Sequence, residues 1–251
     1  MTPRCAIDVC LSGEFRAAAD VELRGDQRGH EAPTFFEYDI DYVGSAMHAR
    51  DHRAVSVRYP VSYGPLKLPT FPAFLMDMMP QGEARRQVAA RLRAEGGGTS
   101  DWDVLLAGAR NPVGNLRVAA AVTPGEESGE GVELADIVAR GDDFRAWAES
   151  QRIPMTGSSD TGGASPKLLM TADAHGRFHA DGALPDSRAV RHYIIKFPRG
   201  RMRQDAAVLA NEAPYLEVLR ALGLRCGDAL HHDQGTLLVP RFDRQRADGG
   251  V

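Results

Sequence analysis

Four segments between residues 157 and 242 follow one another in an order that leaves few folds open. A Gly/Ser-rich turn, GSSDTGGASPK, runs into the apolar stretch KLLMT, and a polar connection leads to HYIIKF. A helical stretch reaching Leu222 follows, and TLLVPRF comes last. Short β-branched runs bounded by turn residues read as strands. Strand, strand, helix and strand in that order predict a small antiparallel sheet with one helix against it.

Chemistry concentrates on two residues of this block. Lys196 sits inside HYIIKF among apolar neighbours, and the strand period places it on the same face as Ile194. An ammonium held at a sheet surface calls for an anion; the competing reading is a solvent-facing lysine on an edge strand. Glu212 follows Val208 by four residues and precedes Tyr215, Leu216 and Leu219 by three, four and seven. Helical spacing therefore puts its carboxylate on an apolar face, where a charge needs a partner, and Lys196 can supply it. Pro214 either kinks this helix or marks its start, with Asn211 as the cap. The turn at 157–167 offers backbone N–H groups and hydroxyls to an anion, although such turns also occur as plain connections. It lacks the G-x-x-x-x-G-K-[ST] pattern of a Walker A loop.

Upstream, Cys5 to Leu11 is short and apolar, and Phe35, Phe36, Tyr38, Ile40 and Tyr42 largely alternate, so the chain opens β-rich. Phe71 to Arg93 reads as helical, with Pro72 and Pro80 near helix starts and Gly96 to Gly98 as the stop. Asp101 is placed to cap a short helix through Leu106, and NPVGNLRVAAAV gives a turn and a strand. Tyr38, Asp39 and Tyr42 read as core or as a subdomain contact. Residues 124–143 carry seven acids against one base, Arg140, which suits a solvated linker. The expected organisation is a β-rich domain with helices over 1–123, a linker over 124–143 and a small sheet lobe over 144–251, starting with a helix near Phe144–Glu149. The class is α+β.

Composition sets outer limits. A net charge of −4 disfavours a chain that binds nucleic acid over its whole surface, and no apolar run approaches the ~20 residues of a membrane span. The start MTPRCAIDVCLSGEF lacks a signal-type apolar core, so a cytoplasmic location is expected. Cys5, Cys10 and Cys226 suggest neither a disulfide framework nor zinc. The eight histidines show no ligand spacing; surface positions and no structural metal are expected. Arg191, Lys196, Arg199, Arg201 and Arg203 form a basic run that suits either phosphate or solvent.

These segments also resemble one family. GGASPKLLM is similar to the glycine-rich phosphate loop of HipA-family serine/threonine kinases, HYIIKFPRG to their lysine strand, NEAPYLEVLRALGL to the next helix and LLVPRFDR to the hinge. VSVRYPVSYGPLKLP, FLMDMMPQGEARR and VGNLRVAA resemble the subdomain that precedes their kinase core. The resemblance implies that Gly162, Gly163, Ala164, Ser165, Pro166 and Lys167 line the nucleotide phosphates and that Lys196, held by Glu212, contacts them. It implies that Pro240, Arg241 and Phe242 border the adenine. Pro240 stands where the family often has an acid, which leaves its main-chain carbonyl as the group available there. The resemblance further implies autophosphorylation of a loop serine: Ser159 lies eight residues before Lys167 where seven is more usual, and Asp160 takes that place, so Ser158 and Ser159 are joint candidates.

The family's catalytic aspartate, its metal-binding asparagine and a second metal-binding aspartate belong to a helical lobe beyond RFDR, and this chain ends eight residues after Asp243. Asp228, Asp233 and Asp243 lack a catalytic-loop context, so no catalytic residue is expected and the chain alone is expected to be inactive. It then reads as a fragment, a truncated product or half of a split kinase. ATP and Mg²⁺ are the implied cofactors of the complete kinase. The implied partners are the C-terminal kinase lobe, a HipB-like helix-turn-helix antitoxin that links it to DNA only indirectly, and a protein substrate such as an aminoacyl-tRNA synthetase. The alternative is a non-catalytic regulatory half of a split toxin–antitoxin system.

Overall fold

The computed structural model describes residues 3–12, 14–26, 28–110, 114–121, 131–140, 142–150, 166–184, 187–198 and 202–244. The chain divides into two compact units, residues 1–81 with 85–124, and residues 82–84 with 125–251.

The first unit is built on β1 (Arg4–Leu11), β2 (Glu14–Leu23), β3 (Thr34–Tyr38), β4 (Leu66–Leu68) and β5 (Leu116–Val118), in antiparallel order β4-β3-β2-β1-β5. Alternation works as the strand period demands: Cys5, Ile7 and Val9 are buried together on β1. A register shift at Ile7/Asp8 re-aims the buried Asp8, whose Oδ2 accepts from Arg117 Nε on β5 at 2.8 Å. The helices of this unit are α1 (Ile40–Ala46), α2 (Ala73–Met78), α3 (Gly82–Ala94) and α4 (Asp101–Gly108). Tyr38 and Tyr42 are core residues with stacked rings 6.3 Å apart, and Asp39 caps α1 by accepting from the amides of Asp41 and Tyr42.

The helical text from Phe71 is two helices that start just after the two prolines, with Pro72 at the N-cap of α2 and Pro80 in the break before α3. Two local expectations shift here. Ser100, not Asp101, caps α4: its hydroxyl accepts from the Asp103 amide while Asp103 reaches back to the Ser100 amide. Asp101 instead joins the loop before β3 to α3, accepting from the His30 amide at 2.7 Å, the His30 ring at 2.9 Å and Arg85 at 2.5 Å. The expected strand through Val122 stops at Val118, where the alanines turn into a 3₁₀ helix, Ala119–Ala121.

The second unit contains α5 (Leu134–Ala139), α6 (Asp142–Ser150), β6 (Lys167–Asp173), β7 (Phe178–Ala180), β8 (Ala189–Lys196), α7 (Arg203–Ala221), β9 (His231–Asp233) and β10 (Thr236–Pro240). Its antiparallel sheet has the order β7-β6-β8-β10-β9. The acidic stretch expected as a linker is part of this body over its described portion. Val132 bridges to Phe178, and Ile137 of α5 packs with Phe144, Leu168, Met170, Ile195 and Leu238 in one core. Glu133 and Asp136 are exposed at a short helix whose inner residues, Ile137 and Val138, are apolar.

Helix α7 lies over the β9 and β10 part of the other face. It starts at Arg203 and runs through Pro214, so Asn211 is not its cap. The face expected to be interior is also different: Leu209 is the buried residue of α7, whereas Val208, Tyr215, Val218 and Leu219 are exposed. No helix among the described residues is long and apolar enough to cross a membrane.

Candidate functional site

Residues paired directly across antiparallel strands share a face, so the register of this sheet defines the surface under α7 row by row. Lys167 on β6 faces Lys196 on β8, Lys196 faces Leu237 on β10, and Leu237 faces His232 on β9. The next row on that face, two residues along each strand, is Leu169, Ile194 and Val239, all half-buried. A third row holds Thr171 and His192. The opposite face carries Leu168, Ile195 and Leu238, which belong to the core.

Lys196 Nζ lies 2.5 Å from Glu212 Oε2, and the two side chains are 21% and 33% exposed. The structure therefore brings the strand lysine and the helix glutamate together. Burial lowers the pKa of Lys167, the neighbouring Lys196 charge lowers it further, and Glu212 opposes both. Two ammonium groups and the Glu212 carboxylate meet at this end of the face, and the adjacent row is apolar. A surface of this kind fits a flat apolar ring joined to an anionic chain.

The remaining expected residues divide. Gly162, Gly163, Ala164, Ser165, Ser158 and Ser159 lie outside the described residues. Pro166 leads into β6, and its carbonyl accepts from the Phe197 amide at 2.9 Å. Pro240 ends β10 opposite Tyr193, on the face turned from Val239. Arg241, expected along the base, has a fully enclosed side chain clamped between Asp181 and Asp243. Phe242 is 88% exposed. In the basic run, Arg191 pairs with Asp228 and Lys196 with Glu212, while Arg199 and Arg201 lie outside the described residues.

Sequence reasoning missed the apolar row of Leu169, Ile194 and Val239, which only the strand register exposes. It also missed two polar clusters by placing all histidines at the surface. His179 is 4% exposed and its Nε2 meets Asp173 Oδ2 at 3.1 Å. Burial pushes Asp173 upward, but the His179 bond and the amides of Arg177 and His175 prevail and lower its pKa. His192 Nδ1 meets Asp181 Oδ1 at 3.1 Å and Thr171 Oγ1 at 2.9 Å. Both contacts use one ring nitrogen, so this is not a relay of the Ser-His-Asp kind, which needs the two nitrogens on opposite sides. No group of three or more potential metal ligands occurs among the described residues.

The fold and this face define a two-unit α+β chain whose second unit is a small sheet lobe with a lysine–glutamate pair under one long helix. Comparison with protein families matches residues 159–249 to the HipA-like C-terminal domain and residues 19–119 to the HipA N-terminal domain. The chain belongs to the HipA family. A search of curated proteins gave no match.

Proposed function

We propose that the second unit binds ATP on the face under α7, as part of a HipA-like serine/threonine protein kinase. The observation that carries this reading is the Lys196–Glu212 pair beside Lys167, one row from Leu169, Ile194 and Val239. In protein kinases a strand lysine held by a helix glutamate orients the phosphates. Lys167 and Lys196 would neutralise the phosphates, and the apolar row would lie against the base. ATP supplies the phosphoryl group to be transferred. Mg²⁺ does not fit the described residues beside the two lysines, where the Glu212 carboxylate is engaged by Lys196.

In the complete system the acceptor is a protein of translation such as an aminoacyl-tRNA synthetase, and a HipB-like helix-turn-helix antitoxin restrains the kinase in the cytoplasm. A second reading, a non-catalytic half that works with a separate kinase lobe, is favoured by the exposed Val208, Tyr215, Val218 and Leu219 of α7, which suit an apolar surface supplied by another lobe. Labelled ATP tests both inactivity and nucleotide binding. Phosphate transfer by the isolated chain would overturn the expectation of inactivity, and failure of the chain to bind ATP at all would overturn the nucleotide reading.

A further inference from the structure

Arg241 and Asp181 have side chains 0% and 4% exposed, an unusual depth for charges at the end of an edge-proximal strand. A guanidinium closed in this way cannot touch a ligand, yet it directly follows β10, the strand that carries Val239. Its surroundings explain what it holds. Arg241 Nη1 binds Asp181, from the connection between β7 and β8. Asp181 also accepts from Thr171 Oγ1 of β6 at 2.8 Å and lies 3.1 Å from His192 Nδ1 of β8. On its other side Arg241 gives Nε to Asp243 Oδ1 at 3.0 Å and Nη2 to Oδ2 at 2.6 Å. Its amide donates to the His192 carbonyl at 2.9 Å, so the ladder with β8 continues one residue beyond Pro240, which has no N–H to give.

We infer that Asp181 and Arg241 are positioning residues of the nucleotide site: they lock the exit of β10 against β6 and β8 and thereby fix the row Leu169–Ile194–Val239 that receives the base. The inference rests on the nucleotide reading above. It is local in a testable way, because His192 and Lys196 are four residues apart on β8, roughly 13 Å along an extended strand. The network therefore supports the base end of the site and leaves the phosphate end to the two lysines.

The test uses the full chain and ligand-detected NMR titrations with ATP, adenosine and inorganic tripolyphosphate. Asp181→Asn is expected to weaken ATP and adenosine roughly tenfold, as for a preformed contact that loses its preorganisation, and to leave tripolyphosphate within about twofold of the parent chain. A mere loss of fold would weaken all three ligands together. If circular dichroism shows that the variant does not fold, Asp181→Leu combined with Arg241→Met removes both buried charges at once, and the same pattern is required of it. Unchanged ATP and adenosine affinity in a folded variant, or an equal loss for tripolyphosphate, overturns the inference alone. Absence of ATP binding by the parent chain overturns the nucleotide reading and this inference with it.

Discussion

Lys167 and Lys196 stand directly opposite each other on one face of the second sheet, and Glu212 pairs with the latter at 2.5 Å. Like charges in directly opposed positions repel, and Glu212 offsets part of that repulsion. Lys196→Ala should then cost at least tenfold in ATP affinity from a parent Kd near ~1 mM. A titration in which the variant binds ATP as the parent does would place the nucleotide elsewhere.

The lowered pKa of Lys167 gives a signed expectation. The unfolded chain binds its proton up to the ordinary lysine value of 10.5, the folded chain only to a lower pH. The group therefore detracts from stability below its folded pKa, and stability recovers as pH rises between the two values. The chain has three lysines, Lys67, Lys167 and Lys196, so competitive amine labelling followed by peptide mapping can assign each one. Lys167 should become reactive at a pH below that of an ordinary lysine, and saturating tripolyphosphate should move its titration back up.

Glu212→Gln removes the carboxylate that pairs with Lys196 opposite a second ammonium group. For a pair this exposed the expected destabilisation is about 1 kcal/mol, read as a shift of the urea midpoint at pH 7. High salt should shrink the difference by screening; a difference that grows with salt would count against an electrostatic origin.

Asp101 carries a different linkage. Burial pushes its pKa up, but the His30 ring and amide and the Arg85 guanidinium outweigh this and hold it below the usual 3.8. A carboxylate with a depressed folded pKa adds stability that is present above the unfolded value and lost as pH falls through the folded one. Asp101→Asn should cost about 1–3 kcal/mol at pH 7, with the gap to the parent closing below pH 3.8. An equal gap at pH 7 and pH 2.5 would show that shape, not charge, is what the loop needs.

Pro214 lies inside α7, where proline forfeits one backbone hydrogen bond and crowds the preceding turn. Pro214→Ala should raise the melting temperature, with a gain of about 1–3 kcal/mol. No gain would mean that the turn around Ala210 is already adapted to the ring.

What could be read in advance follows the range of the interactions. The lysine–glutamate pairing was legible from the strand period at Lys196 and the need of a helix carboxylate for a partner, although the apolar stripe used to aim Glu212 is exposed. The row Leu169–Ile194–Val239 was not, because it needs three strands in register, and a slip of one residue sends every side chain to the other face. Asp181, His192 and Arg241 are joined across as many as 60 residues of sequence, beyond any local pattern. Acidity hid α5, whose inward Ile137 and Val138 are interrupted by charges on both sides. Periodicity misjudged α7 in the opposite way, since it marks an apolar stripe without saying whether anything packs on it.

That helix is anchored lightly. With Leu209 as its buried side chain and the Glu212–Lys196 pair as its bond to the β8 lysine, α7 should be among the segments that open at least free energy while the sheet stays closed. Amide exchange would then run through α7 on a faster clock than through β8 and β10. Each such opening withdraws the carboxylate from Lys196, so the charge that the proposed nucleotide would meet is set by how often one helix lifts from the sheet.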